Sequence, residues 1–269
     1  MIRLLDLFSG IGGFSLAAQW AWGDNLEIVS LCEINKFCQI VLRKHWPDVP
    51  IINDVRDVNA EIIRIFSQGN DIDVLTGGFP CQPFSCAGKR KGKGDDRFLW
   101  PEMFRIIKEI RPRWVVAENV AGIVRMALDD CLSDLESEGY STQAVIIPAC
   151  AVNAPHRRDR VWIVAHDSKL IGWTEQKSKR QRIKTSNSSQ DVADSNSKYK
   201  QELFGRNQLG NEIKKISFGW RNAPDRRQWE SEPDVGRVAH GVPNRVDRLK
   251  SLGNAIVPQV AYRIFKLIQ

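Results

Sequence analysis

Short apolar runs alternate with amphipathic stretches along the first 165 residues of the chain. The runs have the length of β-strands, and the stretches between them are long enough for helices that cover a sheet. This alternation predicts an α/β fold built on a mostly parallel sheet. Strands are predicted at Ile2–Leu7, Ile28–Cys32, Ile72–Leu75, Trp114–Ala117, Ala144–Ile147 and Val161–Ala165. Helices are predicted at Ser15–Trp22, Lys36–Lys44, Ala60–Ser67, Pro101–Ile110 and Ala127–Glu138.

The pattern changes after about residue 165. Lysines and arginines then crowd into a stretch rich in Ser, Asn and Gln, with little apolar periodicity down to about Ser217. An apolar pattern returns at Leu249–Gln269. We therefore expect three regions: an α/β domain of residues 1–165, a small basic insert of residues 166–236, and a C-terminal segment of residues 237–269 whose helix closes the first domain.

Composition narrows the class of protein. The chain has 269 residues, of which 42% are hydrophobic and 26% charged, and a formal net charge of +7, as in a folded, moderately basic protein. Its six cysteines form no C-x-x-C pair, so we expect no zinc site, no compact disulfide framework and a reducing, cytoplasmic compartment. Because no apolar run approaches the ~20 residues that span a bilayer, neither secretion nor membrane insertion is expected.

A glycine-rich turn, Asp6–Phe14 (DLFSGIGGF), follows the first predicted strand. Glycines there let backbone amides approach a ligand closely. Glu33 lies 20 residues after Gly13, at the end of the second apolar run, where a carboxylate can accept ribose hydroxyls. The spacing G-x-G-G lacks the pyrophosphate pattern G-x-G-x-x-G and favours a nucleoside ligand such as S-adenosylmethionine. An ordinary glycine turn beside an exposed acid is the alternative.

Further polar groups follow the predicted strands. Asp54 follows Ile51 and Ile52 and could accept from an adenine amino group, although a lone aspartate in a turn is more often a cap. Cys81 stands between two prolines in Thr76–Ser85 (TGGFPCQPFS), at the end of a strand, where a nucleophile would face a ligand. A buried, inert cysteine is the alternative.

Three more segments carry candidate chemistry. Residues 89–97 (KRKGKGDDR) are basic and rich in glycine, as in a loop that grips phosphates or in a plain surface loop. Glu118 follows the strand Trp114–Ala117 and could protonate or hydrogen-bond a substrate nitrogen at the same sheet edge as Cys81. Arg158 and Arg160 alternate at the start of a strand and are expected to point the same way, towards a ligand or into solvent.

Taken in order, these motifs resemble those of the DNA (cytosine-5)-methyltransferase family, whose signature includes D-L-F-x-G-x-G-G, P-C-Q, E-N-V and Q-x-R-x-R. The late motif of the family is matched by residues 251–258 (SLGNAIVP). The resemblance covers nearly the whole chain except the basic insert, and one departure is His156, where the family usually has Gln. It implies a Rossmann-like methyltransferase fold in which residues 1–165 bind the cofactor and catalyse, and residues 166–236 recognise the target.

The resemblance also implies roles for single residues. Cys81 would add to carbon 6 of a cytosine flipped out of duplex DNA, Glu118 would protonate or bond its N3, and Arg160, together with Arg158, would hold its O2 and a nearby phosphate. The cofactor would be S-adenosylmethionine, and no metal is expected. Its binding residues would be Phe8 and Ile34 on the two faces of adenine, Gly10 and Gly12 at the methionine moiety, Glu33 on ribose, Asp54 on adenine, and Asn254. DNA would be contacted by Ser85, Lys89 and Arg97.

Two other functions fit the same residues less well. A cytosine-5 methyltransferase acting on RNA would share the chemistry, and a non-catalytic, cofactor-responsive DNA-binding protein would share the fold. A Rossmann oxidoreductase is disfavoured by the glycine spacing. The expected partner is double-stranded DNA. The sequence leaves open whether a cognate restriction endonuclease accompanies the enzyme, and such an endonuclease is not expected as a physical partner. Because one base is handled at a time, a monomer is expected.

Overall fold

A computed structural model describes residues 1–80, 98–168 and 244–268. Within these residues the chain forms an α/β fold, which confirms the predicted class. The strands are Ile2–Leu7 (β1), Leu26–Cys32 (β2), Ile51–Ile52 (β3), Val74–Gly77 (β4), Trp114–Val120 (β5), Tyr140–Pro148 (β6) and Asp159–Asp167 (β7). The helices are Gly13–Trp22 (α1), Lys36–His45 (α2), Ala60–Phe66 (α3), Trp100–Ile110 (α4), Leu128–Ser137 (α5), Arg245–Asn254 (α6) and Pro258–Phe265 (α7).

The strands join one sheet in the order β3-β2-β1-β4-β5-β7-β6. The five strands from β3 to β5 run parallel, whereas β7 is antiparallel to both β5 and β6. The mostly parallel sheet is therefore confirmed. The order reverses between β1 and β4, since the chain moves outward from β1 to β3 on one side and from β4 on the other. In open α/β sheets, ligands bind at the carboxyl ends of the strands at such a switch point.

Most strands are longer than their apolar runs. β6 begins at Tyr140, although the polar residues Ser141 and Gln143 hide its first part in the sequence. β5 extends through Val120 because its last three residues continue the antiparallel ladder with β7. Glu118 consequently lies inside β5 and not just after it. The two-residue strand β3 is too short for any hydrophobic pattern to reveal.

Helices cover both faces of the sheet. On one face a buried cluster joins the strands to α3, α4 and α5 and includes Leu75, Met103 and Ile107. On the other face, Phe14 of α1 and Phe265 of α7 pack with Trp162 of β7. The C-terminal segment therefore packs on the α/β domain. The limits of the basic insert stay a prediction, because residues 169–243 lie outside the described part of the chain.

Two searches of the described residues gave negative results. None of the helices in ranges 1–80, 98–168 and 244–268 combines the length and apolar character needed to cross a membrane. In the same ranges, His, Cys, Asp and Glu side chains form no cluster of three or more that could ligate a metal ion.

Candidate active site

A cavity of about 390 Å³ opens at the carboxyl ends of β1, β2, β4 and β5. This volume is in the range of small-molecule sites, which run from ~300 to ~1,000 Å³. Eight residues singled out in the sequence line the cavity although they come from segments far apart in the chain. They are Phe8, Gly10, Glu33, Ile34, Asp54, Glu118, Arg160 and Asn254. Gly12 and Arg158 are not among the described residues of its lining.

The glycine turn between β1 and α1 is built mainly by contacts within the protein. The amide of Gly10 donates to Glu33 Oε2 at 2.7 Å, and the amide of Gly12 donates to the carbonyl of Ser9 at 2.8 Å. These two amides therefore have partners within the protein, and contact of Gly10 or Gly12 with a cofactor stays a prediction. Gly12 has a φ of +84°, and a Cβ added there would lie 2.3 Å from the ring of Trp46, so glycine is required for packing.

At Gly10 and Gly13, the lack of a side chain has consequences different from that at Gly12. Gly10 has a φ of +55°, and a Cβ there would meet no heavy atom within 4 Å, so the turn leaves open space at the cavity. A Cβ on Gly13 would lie 2.6 Å from Cγ1 of Ile256, which follows α6. The absence of a side chain at Gly13 thus lets the C-terminal segment pack against the start of α1.

Glu33 is held at the end of β2 by two backbone amides. Its Oε1 accepts from the amide of Asn35 at 2.7 Å, while Oε2 accepts from Gly10. A carboxylate oxygen has two lone pairs, so each oxygen retains one for a ligand hydroxyl. Asn35 also caps α2 by accepting from Phe37, and Gln39 donates to the Glu33 carbonyl at 2.6 Å. Asn35 was missed as a support for Glu33, although an Asn directly before an amphipathic helix is a recognisable N-cap.

Phe8, Ile34 and Asp54 lie on the cavity beside Glu33. Ile34 is 69% exposed, which leaves its side chain open to a flat ligand. Asp54 accepts from the Arg56 amide at 3.0 Å and pairs with the Arg56 guanidinium at 3.3 Å. Asp54 is therefore a cap, as the alternative interpretation held, and its place on the cavity is compatible with the ligand role as well.

Asp6 is a buried structural residue behind the glycine turn, and the sequence analysis gave it no role of its own. It is fully buried and accepts from Ser15 Oγ at 2.7 Å and from Thr76 Oγ1 at 2.8 Å. Burial raises the pKa of Asp6 to about 7, although these hydrogen bonds oppose the rise. The carboxyl thus connects α1 to β4 directly behind the glycine turn. A carboxylate near the end of an apolar strand was the available signal, since such a group needs partners when it is buried.

Glu118 and Arg160, which both line the cavity, form an ion pair. Arg160 Nε lies 2.9 Å from Glu118 Oε1, and Glu118 is only 8% exposed. Burial raises the pKa of Glu118 to about 7, while the charges of Arg160 and Arg158 oppose this rise. A carboxyl group with such a pKa carries a proton in a substantial fraction of molecules at neutral pH, as a general acid requires.

The loop after β4 lies next to Glu118 and Asn119. Asn119 donates from Nδ2 to the carbonyl of Phe79 at 3.0 Å, and a Cβ on Gly78 would lie 3.5 Å from Glu118 Oε2. Pro80 also lines the cavity. Cys81 is the next residue in the sequence but lies outside the described residues, as do Ser85, Lys89 and Arg97. Their roles stay predictions.

Arg158 differs from its expected placement. It precedes β7, with a φ of 39°, so the two-residue alternation of a strand does not relate it to Arg160. Its Nη2 donates at 2.7 Å to the carbonyls of both Gly253 and Ala255. The expectation that Arg158 and Arg160 point the same way because they share a strand is therefore wrong.

Comparison with known proteins agrees with these motifs. A family model described as C-5 cytosine-specific DNA methylase matches residues 2–231. The chain belongs to this DNA methylase family. The Type II methyltransferase M.HgiBI of Herpetosiphon aurantiacus is 34% identical over 173 residues, which are 62% of this chain and 38% of that protein. Type II methyltransferase M.Eco47II of Escherichia coli is 36% identical over 169 residues, 60% of this chain and 39% of that protein.

The match to these curated relatives spans about two fifths of their length. Among solved structures, the Dnmt2 methyltransferase of S. pombe superposes with a TM-score of 0.60 at 18% identity and covers 100% of this chain and 98% of that one. At this identity the likeness concerns the fold alone. The Rossmann-like methyltransferase fold expected for a DNA methylase is thereby confirmed.

Proposed function

We propose that the protein is a DNA (cytosine-5)-methyltransferase that uses S-adenosylmethionine and methylates carbon 5 of a cytosine flipped out of duplex DNA. One observation carries the proposal: the Glu118–Arg160 ion pair lines the same cavity as Glu33 and the Gly10 turn. The Glu118–Arg160 pair, which is suited to a nucleobase, and Glu33, which is suited to the ribose of a nucleoside, thus line the same cavity. Family membership supports this choice of reaction.

The residues of the cavity fit S-adenosylmethionine. Gly10 leaves open space where any other residue would place a side chain, and Phe8 and Ile34 offer apolar surfaces for an adenine ring. Glu33 retains acceptor capacity for the ribose hydroxyls, and Asp54 is in reach of the same cavity. Asn254 contributes from the end of α6. When bound, S-adenosylmethionine supplies an electrophilic methyl group on a positively charged sulfur.

Carbon 5 of cytosine is a poor nucleophile, so the ring must first gain electron density. The thiolate of Cys81 adds to carbon 6 and forms a carbon–sulfur bond, while Glu118 transfers a proton to N3 and neutralises the charge that develops there. Carbon 5 is then the nucleophilic end of an enamine. After carbon 5 has taken the methyl group, N3 returns its proton to Glu118. A base then removes the proton on carbon 5, the electron pair re-forms the double bond between carbons 5 and 6, and the Cys81 thiolate leaves.

Arg160 has a second task in this scheme. Its Nε is engaged by Glu118 and its Nη1 donates to the Asp159 carbonyl at 2.8 Å. A guanidinium has five N–H donors, so Arg160 keeps donors for cytosine O2 beyond these described contacts. A positive charge at O2 stabilises the same electron-rich ring that the Glu118 proton stabilises.

Duplex DNA is the proposed partner because the chain belongs to a family of DNA methylases. Stacked neighbours block approach to carbon 6 from above the ring, so the cytosine must leave the stack, which costs a few kcal/mol. We assign the basic loop with Ser85, Lys89 and Arg97, and the basic insert, to contacts with the phosphates and the target bases. These assignments rest on the sequence and on the family.

The test is methyl transfer from labelled S-adenosylmethionine to duplex DNA, followed by bisulfite sequencing to locate 5-methylcytosine. We expect label in DNA with the wild-type chain and none with Cys81→Ser, which should still bind the cofactor. Cys150→Ser is the matched control, because Cys150 is an exposed free cysteine. Unchanged turnover by Cys81→Ser would reject covalent catalysis, and label in transfer RNA but not in DNA would assign the enzyme to RNA.

A further inference from the structure

Arg158 connects the start of β7 to the C-terminal end of α6. Its Nη2 lies 2.7 Å from the carbonyl oxygens of Gly253, in the last turn of the helix, and Ala255, just after it. Carbonyls at the end of a helix lack intrahelical partners and carry the negative end of the helix dipole. A guanidinium is therefore a favourable partner for them, and hydrogen bonds from a charged donor are stronger than neutral ones.

The backbone of Arg158 indicates that this contact is closely determined by its surroundings. Its φ of 39° lies in the left-handed region, which residues with a side chain seldom adopt. Such a conformation persists where neighbouring contacts over-determine it. The two hydrogen bonds to Gly253 and Ala255 are contacts of that kind.

The end of α6 forms one wall of the cofactor cavity. Lys250, Ser251, Gly253 and Asn254 all line it. Ser251 Oγ also lies 3.4 Å from Cys38 Sγ, so α6 contacts α2 at the cavity as well. Any shift of α6 would therefore change the shape of the space where the cofactor is proposed to bind.

Arg158 also belongs to the electrostatic environment of the catalytic carboxyl. Its charge is one of the influences that lower the pKa of Glu118, after that of Arg160. Burial and the charge of Arg160 lower the pKa of Arg158 itself, whereas Glu118 raises it. The same guanidinium thus contacts the cofactor wall through hydrogen bonds and the Glu118–Arg160 pair through its charge.

We propose that Arg158 is a positioning residue that holds the C-terminal end of α6 in place as a wall of the cofactor cavity. This inference rests on the proposed function and replaces the role of a base or phosphate contact for Arg158. Binding of the cofactor against α6 then depends on the Arg158 side chain.

The test compares Arg158→Ala and Arg158→Lys with the wild type. Cofactor affinity is measured by calorimetry without DNA, and amide hydrogen exchange is followed across residues 245–257. We expect Arg158→Ala to weaken cofactor binding by about tenfold or more, as for loss of charge-assisted hydrogen bonds, and to speed exchange in this segment. KM for the cofactor should rise while KM for DNA stays near the wild-type value. Lysine, which keeps the charge and can donate to a carbonyl, should restore part of the affinity.

Arg157→Ala is the matched control. Arg157 is exposed and pairs with Asp159 at 2.8 Å, so it should leave all of these measurements unchanged. If Arg158→Ala does not fold, Arg158→Lys and Arg158→Gln replace it in the same comparison. Normal cofactor affinity together with a raised KM for DNA would overturn the inference in favour of a phosphate contact. Absence of methylation by the wild type, with cofactor binding still dependent on Arg158, would instead reject the proposed function.

Discussion

Glu118 and Arg160 meet because they are diagonal neighbours on one face of an antiparallel strand pair. In the register of β5 and β7, Val120 lies opposite Arg160 and Glu118 lies opposite Trp162. Glu118 and Val120 share a face, so the side chain of Arg160 can reach back along the ladder to Glu118, at 2.9 Å. Because β7 runs antiparallel to β5, its first residues lie beside the last residues of β5, where Glu118 is.

Substitution of Glu118 by glutamine tests its role as the acid. The amide keeps the shape of the side chain but has no acidic proton that it could transfer. We expect Glu118→Gln to lower the single-turnover rate of methyl transfer by about 10²-fold or more, as for loss of a general acid. Cofactor affinity should change little. Glu61→Gln, at an exposed position in the first turn of α3, is the control and should leave the rate unchanged. Equal rates for both variants would remove Glu118 from the mechanism.

The pH dependence of methyl transfer follows from the same group. Because burial raises the pKa of Glu118 to about 7, the protonated form is lost above neutral pH and the single-turnover rate should fall there. Arg160 lowers this pKa, so Arg160→Gln should move the alkaline fall to higher pH while also reducing the rate. The profile of Glu118→Gln should lack this fall. An alkaline limb that is identical in all three proteins would assign it to another group.

Stability should also depend on pH through Asp6. Its pKa is about 7 in the folded protein against an ordinary value of 3.8, so the native state holds a proton that the unfolded chain releases. The stabilisation is complete below about pH 4 and is lost as pH rises towards 7, with a slope of up to ~1.4 kcal/mol per pH unit. Glu118 contributes in the same direction.

The variant Asp6→Asn separates the contribution of Asp6 to the pH dependence of stability from that of Glu118. The amide cannot ionise, so the difference in unfolding free energy between wild type and variant should shift in favour of the variant as pH rises from 5 to 7.5. Denaturant unfolding at the two pH values measures this shift. A difference that is independent of pH would show that Asp6 titrates normally.

Alanine substitutions at Gly10 and Gly12 separate the two requirements of the glycine turn, a left-handed backbone and close packing. Gly12→Ala would place a Cβ 2.3 Å from the Trp46 ring in a left-handed backbone, so we expect destabilisation on the order of 2–4 kcal/mol. Gly10→Ala has a left-handed φ but open space around the new methyl group, so about 1–2 kcal/mol is expected. Cofactor affinity should fall in the Gly10 variant because the methyl group enters the cavity. Thermal unfolding and calorimetry check both, and a reversed order of stabilities would contradict the packing argument.

The helices were predicted more closely than the strands. α2 and α4 begin and end within one residue of their predictions, because helical periodicity is a property of neighbouring residues. The strands β6 and β7 extend beyond their apolar cores, since the antiparallel ladder between them continues through polar positions. Pairing between strands is a non-local property, and the hydrophobic pattern alone did not reveal it.

The candidate site shows the same division between features that local sequence predicts and features that depend on non-local packing. The twenty-residue spacing from Gly13 to Glu33 predicted that the glycine turn and the carboxylate share one site. The structure shows them in contact, because a single β1–α1–β2 unit contains both. The partners of Arg158 lie 95 and 97 residues later in the chain, and nothing near Arg158 indicates them. The need for glycine at position 12 likewise depends on Trp46, which reaches the turn only when α2 packs beside α1.

By itself the sequence determined the α/β class, the order of the motifs and the kinds of chemical group at the site, because periodicity and residue type are written along the chain. Only the tertiary structure decided which atoms those groups contact: Arg160 with Glu118, Arg158 with α6, and Asp6 with Ser15 and Thr76. The reason is physical. A hydrogen bond or an ion pair requires two groups within about 3 Å of each other, and for segments distant in the chain this distance is set by packing.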